Sequence, residues 1–259
     1  MASQTFSISA IAAALGGAAC RFDIDVLAEC GSTNAELLAR AERGAPSGTV
    51  VAAERQTAGR GRMGREWIAV PGDSLTFSLL WRFPAGTNPS GLSLAVGVAV
   101  ARALQKVGAG DTVLKWPNDV LKDGGKVGGI LIELQSATAA IIGIGLNLRL
   151  PVAMPDAVRA TAAALDLPVD PNALLATVLA ELLAVLDAFA AGGFAVLRDE
   201  WLARHAWTGQ PVRVIVPHAA AIEGRCAGID ADGALLLETA AGMQRILSGD
   251  VSLRLMESA

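Results

Sequence analysis

Residues 59–67 read Gly59-Arg60-Gly61-Arg62-Met63-Gly64-Arg65-Glu66-Trp67. Three glycines alternate with three arginines directly after a predicted strand, Thr49–Glu54. Glycine lets such a loop bend and bring its amides against a ligand. Each guanidinium adds a planar fork for phosphate or carboxylate oxygens. Trp67 follows with an aromatic face suited to stacking on a base. Alone, the stretch reads equally well as a solvated basic turn or an RGG-like nucleic-acid contact.

Three later stretches bear on that choice. Lys115-Trp116-Pro117-Asn118-Asp119 ends a predicted strand with a cation, a rigid proline and two oxygen-bearing side chains. Lys126-Val127-Gly128-Gly129-Ile130-Leu131-Ile132-Glu133 places two glycines inside a strand, which is costly unless something approaches the backbone closely. The plainer reading makes the glycines a bulge and Lys126 a surface charge. Gly143-Ile144-Gly145-Leu146-Asn147 falls short of a dinucleotide fingerprint: Leu148 stands where the third glycine is needed, and nothing helical follows. Gly124-Gly125-Lys126-Val127 lacks the Ser or Thr of a P-loop. Any ATP is held by another device.

At 259 residues and 53% hydrophobic, the chain can bury one large core and a small satellite domain. Its net charge of -4 gives no global basic field, which counts against a nucleic-acid partner. Cys20, Cys30 and Cys226 are odd in number and scattered, with no CxxC spacing. They argue against a disulfide framework or zinc site, favour a reducing compartment, and read as small core residues. Ile8–Cys20 is apolar and Ala-rich, yet no Lys or Arg precedes Arg21, so it lacks the charged start of a signal peptide. Other apolar stretches are punctuated by charge or glycine, so no membrane span is expected and the expected location is cytoplasmic.

A helix is predicted from Ser32-Thr33, where Thr33 and Glu36 have capping-box spacing, to just before Gly44. Leu75–Trp81 alternates apolar and polar residues, the pattern of a strand with one buried face. Gly91–Val107 reads as a helix; Thr112–Trp116, Lys126–Gln135 and Ala139–Asn147 read as strands, with Asp123-Gly124-Gly125 as a hairpin-like link. The clearest helix is Asn172–Ala191, capped by Asp170, with Pro171 in its first turn and Gly192-Gly193 ending it. After Trp207 the pattern shortens to Val212–Val216, Ile222–Ile229, Ala234–Glu238, Gln244–Leu247 and Val251–Leu255. Five short strands, with Asp232-Gly233 as a turn, imply a small β-barrel. The boundary falls near Ala206.

In order, Gly31-Ser32-Thr33-Asn34, Glu54-Arg55-Gln56, the Gly59–Trp67 loop, Lys115–Asp119, Lys126–Glu133 and Gly143–Asn147 resemble the landmarks of the biotin–protein ligase family. The resemblance runs from about Glu29 to the C-terminus. It implies an α+β fold: a mixed sheet flanked by helices, like the class II aminoacyl-tRNA synthetase core, followed by an SH3-like barrel. The implied division is a catalytic domain at 1–206 and a C-terminal domain at 207–259.

The implied activity makes biotinyl-5'-AMP from biotin and ATP, then passes biotin to a lysine of a biotin carboxyl carrier protein. By resemblance, biotin is contacted by Ser32, Thr33, Asn34, Gln56, Arg60, Gly61, Arg62, Lys126 and Gly128. The adenylate is contacted by Arg60, Arg62, Trp67, Lys115, Asn118, Asp119 and Asn147. Lys126 and Arg62 are the implied catalytic pair, with Mg²⁺ accompanying ATP near Asn147. Met63 stands where some relatives have Arg, so charge there is not needed for this mechanism. Asp119 is a candidate general base for transfer; His205 and His218 belong to no motif and read as packing or surface residues. A lipoate-type ligase of the same fold and a biotin-responsive transcriptional regulator are the alternatives. The Gly59–Trp67 and Lys115–Asp119 motifs disfavour the first. Residues 1–28, too few for the helix-turn-helix domain of some relatives, disfavour the second. No membrane or nucleic-acid partner is expected, and a homodimer through the central sheet is compatible with the resemblance.

Overall fold

The computed structural model describes residues 6–152, 154–217 and 219–256. Two sheets organise the chain. The first has seven strands: β1 (Asp23–Cys30), β2 (Thr49–Gln56), β3 (Ser74–Arg82), β4 (Val113–Lys115), β5 (Asp119–Lys122), β6 (Gly125–Ser136) and β7 (Ala139–Asn147). Their spatial order is β1-β2-β3-β7-β6-β5-β4. Among these seven strands β1 and β2 pair in parallel and the other neighbours antiparallel, so the sheet is mixed. Helices α1 (Ile8–Leu15), α2 (Thr33–Glu42), α3 (Leu92–Lys106), α4 (Asp156–Arg159), α5 (Pro171–Gly192) and α6 (Arg198–Ala203) complete this unit. The second sheet is antiparallel: β8 (Pro211–Ile215), β9 (Ile222–Ile229), β10 (Leu235–Thr239), β11 (Gly242–Ile246) and β12 (Ser252–Leu255), ordered β11-β10-β9-β8-β12.

Central β3 departs from the expected half-buried strand, because both its faces are covered. Leu75, Phe77 and Leu79 join the main core with α3 and α5. On the other face Leu80 packs with Leu37 and Ala41 of α2. Ser78 on that face is fully buried, its hydroxyl between Thr33 Oγ1 (2.7 Å) and Asn34 Oδ1 (2.6 Å) at the start of α2. The polar half of the alternation thus faces a helix instead of water.

The start of α2 also differs from expectation. Ser32 is the N-cap residue, while Thr33 donates its amide (2.7 Å) and hydroxyl (3.1 Å) to Gln56 Oε1 on β2. Glu36 accepts from Arg40 instead of closing a capping box. The tertiary partner on β2 displaces the local one.

The Lys115–Asp119 motif is a turn. Lys115 and Asp119 are register partners of β4 and β5, and Trp116-Pro117-Asn118 reverses the chain between them. The strand β5 was not expected from the sequence. Asp123 (φ 50°) and Gly124 (φ 79°) then make the two-residue link to β6, as two positive φ values allow.

Helix α5 is capped by Asp170, whose side chain accepts from the Asn172 amide at 2.9 Å. The sequence reading expected no segment of this kind, yet the helix is long and apolar enough by length and composition to cross a bilayer. Its Leu175, Val178, Leu179, Leu182, Leu186 and Phe189 are nonetheless buried in the main core, against α3 and α1. Glu181 on the same helix pairs with Lys106 of α3 at 2.5 Å. Of the cysteines, only Cys226 is buried; Cys20 is exposed and Cys30 half-buried, because each lies where its element reaches the surface. His205 is stacked on Trp201; His218 lies outside the described residues.

The two sheets meet around β4. Leu114 donates to the Arg204 carbonyl (2.8 Å) and accepts from Ala206 (2.9 Å), so the connecting segment extends the sheet edge. Trp116 is fully buried and its Nε1 donates to the Gly233 carbonyl at 3.0 Å. That bond carries the hairpin turn onto the second sheet.

Candidate active site

The β4–β5 turn, the starts of β6 and α2, the end of β7 and the 59–67 loop enclose two adjoining cavities. The larger, about 420 Å³, is lined by Arg62, Arg65, Trp67, Lys115, Asn118, Asp119, Lys126 and Asn147, and by Val251–Arg254 of the second sheet. The smaller, about 50 Å³, is lined by Ser32, Thr33, Asn34, Gln56, Arg60, Gly129, Gly143 and Gly145 among others. Gly61, Arg62, Trp67, Asn118 and Lys126 line both. The cations of two separate motifs therefore stand at the junction.

Asp119 organises that junction. One carboxylate oxygen lies 2.6 Å from Lys126 Nζ and the other 3.0 Å from Lys115 Nζ. Burial works to raise its pKa, but the two ammonium groups outweigh it and hold the carboxyl below its ordinary range. Burial pushes the Lys115 ammonium down, partly opposed by Asp119, and the Nζ also lies 5.0 Å from the centre of the Trp207 ring. Lys126 Nζ sits 5.9 Å from the Trp67 ring centre.

The loop is folded back on itself. Gly61 donates to the Arg65 carbonyl (2.7 Å) and Trp67 to the Gly59 carbonyl (2.9 Å). Met63 takes the left-handed conformation at its tip (φ 59°). Arg62 points inward to Asn118 Oδ1 (3.2 Å) and across to the carbonyls of Ser248 (2.9 Å) and Gly249. Burial lowers its pKa below the usual guanidinium value, though a guanidinium remains charged throughout the working pH range.

Glycines of β6 and β7 shape the floor. A Cβ on Gly145 would collide with the Trp67 indole, and one on Gly143 with the Asn34 amide. Gly129, which lines the smaller cavity, sits opposite Gly145 in the ladder; a Cβ there would lie 3.0 Å from Lys126 Nζ. Gly128, expected at biotin, instead makes room for Leu146, which a Cβ would approach to 2.5 Å.

Of the residues expected at the site, Ser32, Thr33, Gln56, Gly61, Arg62, Trp67, Lys115, Asn118, Asp119, Lys126 and Asn147 line one or both cavities. Arg60 lines only the smaller, and Asn34 lines it with its amide already engaged by Ser78, Leu131 and Glu133. Asn147 Nδ2 donates to the carbonyls of Lys126 (3.3 Å) and Ala163 (3.0 Å), leaving Oδ1 as its acceptor toward a ligand. Sequence reasoning gave no site role to Ser78, Glu133, Gly143, Gly145 or the 251–254 wall. Of the β6 glycine pair, read as marking a close approach, it assigned Gly128 to biotin, where Gly129 lines the cavity. The Gly-x-Gly of β7 was visible, but its meaning depends on which side chains cross it.

These features suit an enzyme that brings two anionic ligands together beside paired cations. Residues 29–147 match the biotin/lipoate A/B protein ligase family, and 208–254 match the biotin protein ligase C-terminal domain. The chain belongs to the biotin–protein ligase family. It is 36% identical over 242 residues to the bifunctional ligase/repressor BirA of Escherichia coli, covering 90% of this chain and 75% of that one. It is 38% identical over 245 residues to the biotin–[acetyl-CoA-carboxylase] ligase of Paracoccus denitrificans, covering 87% of this chain and 98% of that one. The biotin protein ligase of Aquifex aeolicus, solved with biotin and ATP, superposes with a TM-score of 0.81 at 32% identity, covering 90% of this chain and 99% of that one.

Proposed function

We infer that the smaller cavity takes the ring system of biotin and the larger takes ATP, with the biotin carboxylate meeting the α-phosphate beside Lys126 and Arg62. The chain is an ATP-dependent biotin ligase. A carboxylate oxygen attacks the α-phosphorus, the bond to pyrophosphate breaks, and biotinyl-5'-AMP forms. The amine of an acceptor lysine then attacks the mixed anhydride carbonyl and AMP leaves. The observation that carries this reading is the shared wall: Lys126, Arg62, Asn118 and Trp67 border both cavities.

The chemistry demands such a wall, because two anions must meet and a third must depart. Preorganised donors at developing charge typically contribute about 2.7–4 kcal/mol each. In the smaller cavity Gln56 Oε1 is taken by Thr33, so its Nε2 is the donor left for a ureido carbonyl. An ionised carboxylate between two ammonium groups is a poor proton acceptor, which supports Asp119 as the residue that positions Lys126 rather than a general base.

Mg²⁺ would enter with ATP. Among the described residues no three His, Cys, Asp or Glu side chains cluster as a cage. Both Asp119 oxygens are already shared with Lys115 and Lys126, so the amide oxygen of Asn147 is the group that fits an ion carried chiefly by phosphates and water. That ion would help neutralise the phosphate charge.

The acceptor is a biotin carboxyl carrier, as the acetyl-CoA-carboxylase relatives imply. The proposed division remains a catalytic unit at 1–206 and a C-terminal one at 207–259. Residues 204–206 bond the β4 edge of the large sheet, leaving β1 as the open edge for pairing with a second copy. The test is ATP-dependent labelling of a biotin carboxyl carrier domain by the purified chain. Biotin should be attached to the carrier lysine and lipoate should not; lipoylation without biotinylation would overturn the reading.

A further inference from the structure

We propose that Glu133 is a positioning residue: its carboxylate ties Arg60 of the glycine–arginine loop to the start of α2, and so sets how long the site retains biotin and biotinyl-5'-AMP. The proposal rests on the biotin reading of the smaller cavity.

Strand β6 carries Lys126 near its start and Glu133 farther along, beyond Gly129–Leu131 of the smaller cavity. One Glu133 oxygen accepts from Asn34 Nδ2 at 2.7 Å; the other lies 3.7 Å from an Arg60 terminal nitrogen. Asn34 is fixed from several sides. Its Oδ1 accepts from buried Ser78 on β3, its Nδ2 also reaches the Leu131 carbonyl (3.4 Å), and the amide fills the space left by Gly143 on β7. Glu133 is therefore anchored to the rigid wall of the cavity and offers its remaining oxygen to the loop.

The residue type is informative. The neutral amide of Asn34 needs only an oxygen acceptor, which a glutamine would supply without the cost of withdrawing a charge from water. Among the described residues, Arg60 is the cation that pairs with this charge. The Arg60 and Glu133 side chains are 49% and 32% exposed, so solvent screens the pair in this state. A ligand filling the cavity beneath would displace water and strengthen the pair. An attraction that is stronger in the occupied state adds to retention by that difference.

The experiment measures release of biotin, and separately of preformed biotinyl-5'-AMP, by stopped-flow tryptophan fluorescence. It uses the full chain and the variants Glu133→Gln, Glu133→Asp, Arg60→Gln and Glu133→Gln with Arg60→Gln. Glu133→Gln should release both ligands about fivefold faster, a strengthening of the pair by roughly 1 kcal/mol when the cavity is filled and its water displaced, with the KM for ATP unchanged. Glu133→Asp should recover part of the loss. The double variant should be no faster than Arg60→Gln alone, and high salt should bring wild type toward Glu133→Gln. Arg60→Gln leaves the Asn34 bond intact, so it reads the pair even if the strand variants do not fold. Wild-type release rates for Glu133→Gln, multiplying effects in the double variant, or salt-insensitive wild-type release would each overturn the proposal. A wild type that makes no adenylate would instead sink the functional reading beneath it.

Discussion

Lys126 is the residue at which the account is most exposed to a single substitution. Lys126→Met keeps the aliphatic stem and removes the charge beside both cavities. Adenylate formation in single turnover should fall by about 10²–10³-fold, the cost of losing one preorganised donor, with the circular dichroism spectrum unchanged. An unchanged first-step rate would remove Lys126 from the mechanism. Arg62→Gly loses the fork that reaches Asn118 and the second sheet. It should still make adenylate but release it faster, so that escaped mixed anhydride labels exposed lysines in a mixed lysate. Streptavidin blotting beside wild type checks this; labelling confined to the natural carrier would show that Arg62 does not retain the intermediate. Gly145→Ala puts a methyl group into the Trp67 indole and should raise the KM for ATP by about tenfold, through a displacement worth roughly 1.4 kcal/mol. Charged and aromatic site residues were legible in the sequence because their chemistry is carried by atoms that are present. Gly143 and Gly145 were not, because what matters is the side chain each lacks and the neighbour from a distant strand that fills the gap. Ser78 was hidden for a related reason: it reads as the wet face of a strand until α2 covers it.

At the scale of elements, α3 and α5 were readable from helical periodicity and turn residues, and the Asp170 cap was visible directly. Asp170→Ala should cost about 1 kcal/mol in a denaturant titration, the usual worth of an N-cap. Strand β5 was not readable, since its four residues lie between a Pro-containing turn and an Asp-Gly turn and pair only through β4 and β6. The segment joining the sheets supplies the pH prediction. Burial depresses the His205 pKa to about 4 from 6.5. As pH falls below about 6.5 the unfolded chain takes up this proton and the folded chain does not. The contribution is therefore fully present above that pH, declines down to about 4 and levels off below. Its size is on the order of 3 kcal/mol. His205→Gln should flatten the stability profile in that window; an identical slope in the variant would assign the loss to other groups.

Across the whole molecule, the change to short strands after Trp207 marked a second unit, but its part in the site was not legible. That part depends on contacts between sheets: Arg62 with Ser248 and Gly249, Trp116 with Gly233, and the 251–254 wall of the larger cavity. All the residues lining the smaller cavity lie before residue 146. Arg254→Ala should therefore raise the KM for ATP by about fivefold, the worth of about 1 kcal/mol at an exposed charge, and leave the biotin Kd by calorimetry unchanged. A weakened biotin Kd with normal ATP use would reverse the assignment of the two cavities. The central claim is that the shared wall joins biotin to the α-phosphate of ATP, and exchange of labelled pyrophosphate into ATP measures that step alone. The account predicts exchange that requires biotin, ATP and Mg²⁺ together and is lost in Lys126→Met; exchange with lipoate but not biotin, or none that depends on biotin, would contradict it.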